Sequence, residues 1–146
     1  YVFMAMVNGD DPFPEYKGNN YYHIPFVAPP FHLEITSNAY IGVLTYTPIK
    51  NDYSILNTLY CAPNKIWEYS MFDVPMISND LPALKYQFAI DKNGECFNIF
   101  DKEDIKKAIL KIDDNYEKYS NAAREFFYSI DVSEIIQAIV NKAEMS

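Results

Sequence analysis

Glycine is scarce in this chain, four in 146 residues, and cysteine scarcer still, with two. Few glycines beside 49% hydrophobic and 16% aromatic content exclude a disordered or low-complexity chain. Cys61 and Cys96 have no metal-like spacing and are too few for a disulfide framework, so reduced thiols and a cytoplasmic compartment are expected. No apolar run approaches the roughly 18 residues of a membrane span, and no signal peptide is visible. There is no Lys/Arg run, and the formal net charge is -8, which argues against nucleic acid and an anionic membrane surface as partners. A nucleotide is not excluded, because helix N-termini bind phosphate through local amides whatever the global charge. His23 and His32 lack a carboxylate or second histidine at ligand spacing, so they read as packed side chains and no metal site is expected.

The length suits one domain with a sizeable core. The chain has no initiator Met and begins in the apolar run Val2 to Val7, which suggests a piece of a longer protein. That run reads as a strand closed by the turn signal 8–12, and Tyr22 to Val27 as a second strand ended by Pro29-Pro30. Phe31 to Ala39 reads as a short helix, Tyr40 to Tyr46 as a third strand, and Thr47 to Ala62 as a long irregular stretch packed by Tyr53, Leu56 and Leu59. Leu81 to Ile90 is expected to be helical with Gly94 near its end as a cap or turn, followed by a strand at Cys96 to Phe100. Two amphipathic helices follow at Lys102 to Ile112, capped by Asp101, and at Asn115 to Tyr128. The capping-box pattern Asp131-x-x-Glu134 opens a last helix expected to bury Val132, Ile135, Ile136, Ile139 and Val140.

The stretch Pro63 to Leu84 organises the rest. Pro63 suits a first helical position, Val74 to Ser78 reads as a buried strand, and Asp80 as the cap of the next helix. Glu68 falls in the gap between the apolar faces formed by Ile66, Tyr69 and Ser70 and by Trp67 and Met71, on the same side as Asn64 and Lys65. A carboxylate at the edge of a buried helix needs a partner, since desolvating it alone costs on the order of several kcal/mol. Lys65 or a ligand supplies one. Strands spaced by helices predict an α/β domain with a mostly parallel sheet, whose ligands gather at the carboxyl ends of the strands.

The run Ala39 to Pro48, then Pro63-Asn64-Lys65-Ile66-Trp67-Glu68-Tyr69 and Val74-Pro75-Met76-Ile77-Ser78, resembles the carboxyl-terminal half of GT-B glycosyltransferases of the family 4 type. Val2 to Gly9, Ile24 to Val27 and Gly94-Glu95-Cys96-Phe97 follow the same pattern, so the resemblance spans nearly the whole chain. It implies a single Rossmann-like domain over residues 1–146, its first strand and helix missing, that binds the nucleotide-sugar donor of a retaining hexosyltransferase and needs no bound metal or other cofactor. Glu68 matches the second acid of the family's paired-acid motif, which accepts from the ribose hydroxyls; a carboxylate suits two vicinal donors. The motif's first acid is replaced by Tyr60, and Asn64 stands in toward the transferred sugar. Pro63, Asn64 and Lys65 lie where diphosphate and sugar approach, Phe26 and Val27 match the backbone that reads the base, and Ser78 completes the donor-binding set.

The expected partners are a UDP- or GDP-sugar and a glycan or lipid-linked acceptor held by a missing amino-terminal domain, as in polysaccharide biosynthesis. The expected site is cytoplasmic, peripheral to the inner membrane in the full-length protein, with this chain inactive alone. No catalytic residue is assigned. The alternatives are a nucleotide-sugar epimerase-like domain and a non-catalytic Rossmann-like interaction module.

Overall fold

The computed structural model describes residues 1–47, 55–60 and 63–144, in two compact units, Tyr1–Asn38 and Ala39–Ser146. The fold is α/β and Rossmann-like, with parallel sheets and flanking helices. In the first unit β1 (Phe3–Val7) pairs in parallel with β2 (Tyr21–Pro25), from Phe3 opposite Tyr21 to Val7 opposite Pro25. A 3-10 turn at Pro14–Tyr16 links them, and α1 (His32–Thr36) follows. Tyr21 is buried here; its ring stacks on Phe3 and its hydroxyl donates to Asp11 at 2.6 Å.

The second unit is built on a parallel sheet in the order β3 (Gly42–Leu44), β4 (Met76–Asn79), β5 (Gly94–Phe97). Between β3 and β4 run α2 (Ile55–Tyr60) and α3 (Asn64–Ser70); α4 (Pro82–Asp91) joins β4 to β5. Then come α5 (Lys102–Asp113), α6 (Tyr116–Tyr128) and α7 (Val132–Glu144). The pleat sends alternate residues to opposite faces. Leu44 and Met76 pack with Ile66, Leu84 and Phe88 on one face, and Ile77 and Phe97 with Ala108 and Ile112 of α5 on the other. α6 serves both layers: Tyr119 joins the α5 side, and Phe126 joins the α3–α4 side, with its ring 4.5 Å from that of Trp67. Each such fully buried aliphatic or aromatic side chain contributes about 1.5–3 kcal/mol.

Several local expectations are corrected. Pro63 precedes the helix as its N-cap in an extended conformation (φ -69°, ψ 134°), and its carbonyl accepts from the Ile66 N–H. Strand pairing at β4 begins at Met76 rather than Val74, because Pro75 has no N–H to give to a ladder. Asp80 does not cap α4. Its N–H donates to the Phe97 carbonyl and its carboxylate pairs with Lys85 at 3.1 Å, leaving Leu81 as N-cap. The left-handed residue that ends α4 is Lys92 (φ 57°), while Gly94 lies in β5. Part of the stretch expected to be irregular is α2; its Leu59 packs on the core while Leu56 is exposed, and Tyr53 and Cys61 lie outside the described residues. α1, β3 and β5 occupy narrower or shifted ranges than their patterns suggested.

The last helix departs most. Asp131 accepts from the Glu134 N–H, so the expected cap forms, but Val132, Ile135, Ile136, Ile139 and Val140 are 41% to 63% exposed. Periodicity specifies an apolar face; it does not supply a surface to cover it.

Candidate functional site

Parallel strands aligned in one direction place their carboxyl ends along one edge, and there the strand-to-helix loops collect. In the second unit this edge is formed by Leu44, Asn79 and Phe97. Asn79, buried at the end of β4, clamps the chain leaving β3: its Oδ1 accepts from the Tyr46 N–H at 3.0 Å and its Nδ2 donates to the Tyr46 carbonyl at 2.9 Å. Asp101 caps α5 by accepting from the Glu103 N–H at 2.9 Å, and Asp104 turns back to accept from the Asn98 N–H at 2.7 Å. The amino ends of α4 and α5 both open on this edge, each following its strand within a few residues. That of α3 does too, since its carboxyl end leads directly into β4.

Asn64 and Lys65 are exposed in the first turn of α3, with Pro63 half-buried before them and Glu68 half-buried one turn on. Ser78 is fully buried in β4; its hydroxyl donates to the Asn79 carbonyl at 3.1 Å and lies 3.3 Å from Cys96 Sγ. Burial pushes the Cys96 thiol up from its ordinary value, with the contact to Ser78 acting the other way. Burial also raises the Tyr69 phenol, and neighbouring Glu68 adds to this. Phe26 and Val27 follow β2 in the first unit, the former exposed and the latter half-buried. The second unit thus gathers Pro63, Asn64, Lys65, Glu68 and Ser78 on α3 and β4, and the first unit carries Phe26 and Val27.

Two cavities open on the second unit. One of about 470 Å³ lies between α2, α3 and α4, lined by the exposed Tyr60, Pro82 and Tyr86 and the buried Ile66 and Leu84, with Gln87 as its amide. Its lining comes from the first turn of α3 and the amino half of α4, so it belongs to the carboxyl edge. The other, about 740 Å³, lies between the end of α4 and α6. Asp91, Glu117 and Glu125 there alternate with Lys92 and Lys118, so opposite charges offset one another; it is larger but sits toward the other end of the sheet.

Asn79, Tyr86 and Gln87 were not singled out by sequence. An Asn-Asp pair closing a buried strand is a signal that could have found Asn79; Tyr86 looks in sequence like any helix aromatic. Among the described residues no group of three or more His, Cys, Asp or Glu could hold a metal, and no helix is long and apolar enough to cross a membrane.

Fold and edge together define a Rossmann-like α/β protein with a carboxyl-edge cleft. Comparison with protein-family models, curated proteins and solved structures finds no match.

Proposed function

We propose that this chain is the donor-binding half of a retaining glycosyltransferase of the GT-B, family 4 type, working in the cytoplasm and passing a hexosyl group from a UDP- or GDP-sugar to a glycan or lipid-linked acceptor. The observation that carries the reading is the position of α3: Asn64, Lys65 and Glu68 ride on a helix whose start opens on the carboxyl edge of a parallel sheet. There Glu68 accepts from the ribose hydroxyls and Lys65 offers the diphosphate a cation. The start of α4, with no acid in its first turn, adds partial positive charge at the same edge, whereas at the start of α5 the Asp101, Glu103 and Asp104 carboxylates offset it.

Calorimetry with UDP, GDP and their sugars tests the reading. One nucleotide should bind, and Glu68→Gln should weaken it about tenfold or more, since a charge-assisted hydrogen bond contributes about 1.5–3 kcal/mol. No heat with any nucleotide, or wild-type affinity in Glu68→Gln, would sink it. The second reading, a non-catalytic interaction module, rests on Tyr60 standing where the resembled motif has its first acid; it predicts no nucleotide affinity at all.

A further inference from the structure

The cleft between α2, α3 and α4 has a lining unlike the rest of this surface. The chain carries 32 charged Asp, Glu, Lys and Arg side chains (12 basic and 20 acidic), yet none of the described residues lining this cleft is charged. Its walls are two tyrosines, Tyr60 at 65% and Tyr86 at 71% exposure, which leave their rings open to solvent. Its floor is aliphatic, from the buried Ile66 and Leu84, with the exposed Pro82 also lining it, and Gln87 is anchored through its Nε2 to the Asp91 carboxylate one turn on. A tyrosine presents an apolar ring and a polar tip. Two of them over an aliphatic floor, with one positioned amide, match a ring that carries C–H groups on its faces and hydroxyls around its rim.

We propose that this cleft is a sugar subsite selective for uncharged pyranose rings, neutral hexoses and deoxyhexoses, and that it rejects uronic acids. The identification of the ring as that of the donor rests on the reading above; the cleft's preference for a neutral ring rests on its lining alone. A volume of about 470 Å³ is ample for one pyranose and falls in the range of small-molecule sites. A carboxylate brought into the cleft would lose water and meet no cation from these side chains, a cost that a neutral hydroxymethyl or methyl group avoids. The exposed tyrosine rings offer apolar surface to the faces of the sugar ring, and the phenol hydroxyls and Gln87 read its rim.

The test is saturation-transfer and chemical-shift NMR on the full chain with methyl glucopyranoside, methyl fucopyranoside and methyl glucuronide, alongside UDP and GDP. Both neutral glycosides should bind weakly and shift the Tyr60 and Tyr86 ring signals, and the glucuronide should bind about tenfold less well or worse. Tyr86→Ala, at an exposed position that leaves the core intact, should abolish the neutral signals, and Tyr86→Phe should keep part of them. Equal binding of glucuronide and glucoside, no binding of either neutral glycoside, or wild-type binding in Tyr86→Ala would each overturn the proposal. If a nucleotide binds while no neutral glycoside does, the subsite fails and the donor reading stands. Selective glycoside binding with no nucleotide binding leaves the subsite standing and removes the donor reading.

Discussion

Gly94 is where packing forbids a side chain most plainly. It opens β5 opposite Met76, and a Cβ built there would stand 2.6 Å from the Met76 carbonyl oxygen and 2.7 Å from the buried Phe88 ring. Phe88 is locked in the α4 side of the core, and the carbonyl belongs to the central strand, so neither neighbour yields without moving a strand or a helix. Overpacking of this kind costs about 1–3 kcal/mol. Replacing glycine lowers the entropy of the unfolded chain, which returns about 0.4–1 kcal/mol. The net expectation for Gly94→Ala is a loss of about 1–2 kcal/mol, read as a lower urea midpoint at unchanged m-value, or as a fall in Tm of roughly 2–8 °C for a chain of this size. An equal or raised midpoint would refute the close approach of α4 to β5. Gly42→Ala meets Cγ and Cδ2 of the Tyr69 ring at 2.6 Å, the root of a ring packed against the core, so it too should lower the urea midpoint.

Lys92→Gly should stabilise the chain by about 1 kcal/mol, because Lys92 ends α4 in the left-handed region at φ 57° and glycine adopts that conformation without penalty; urea melts of the variant give the value. Ile136→Ser and Ile139→Ser, at positions 56% and 63% exposed, should each change stability by no more than about 0.5 kcal/mol, and a loss near 3 kcal/mol in calorimetry would mean that α7 is covered. Burial, with help from the hydrogen bond to Asp11, pushes the Tyr21 phenol up to about 12. With the unfolded value near 10, the folded chain holds the proton longer. Its contribution is therefore complete below pH 10 and lost as pH rises toward 12. Urea melts at successive pH values should show this loss in the wild type and a shallower slope in Tyr21→Phe.

Period and punctuation carried much of the fold. Among the described residues, the strands, with β5 in a shifted range, and every helix but α2 lie where hydrophobic runs and Pro or Asp signals put them, because each is decided by about a dozen neighbouring residues. What failed needed knowledge of the far side of a contact. Gly94 after a helix reads as a cap, and only the Met76 carbonyl and the Phe88 ring, 18 and six residues back, show that it is there for space. Asp80 before Pro82 reads as an N-cap, but Lys85 and the edge of β5 claim it first. α7 has the apolar stripe of a core helix, and nothing in a stripe says whether a partner surface exists.

The same division runs through the candidate site. Glu68 was legible because a carboxylate beside Ile66, Trp67 and Tyr69 is anomalous within one helix turn. The cleft was not, because Tyr60, Ile66 and Tyr86 come from three helices and nothing in the sequence joins them. Its chemistry arises only when the sheet draws those helices together. A sequence therefore announces a charge out of place long before it announces an uncharged site, and binding sites for neutral rings are the kind that folding has to assemble before they can be read.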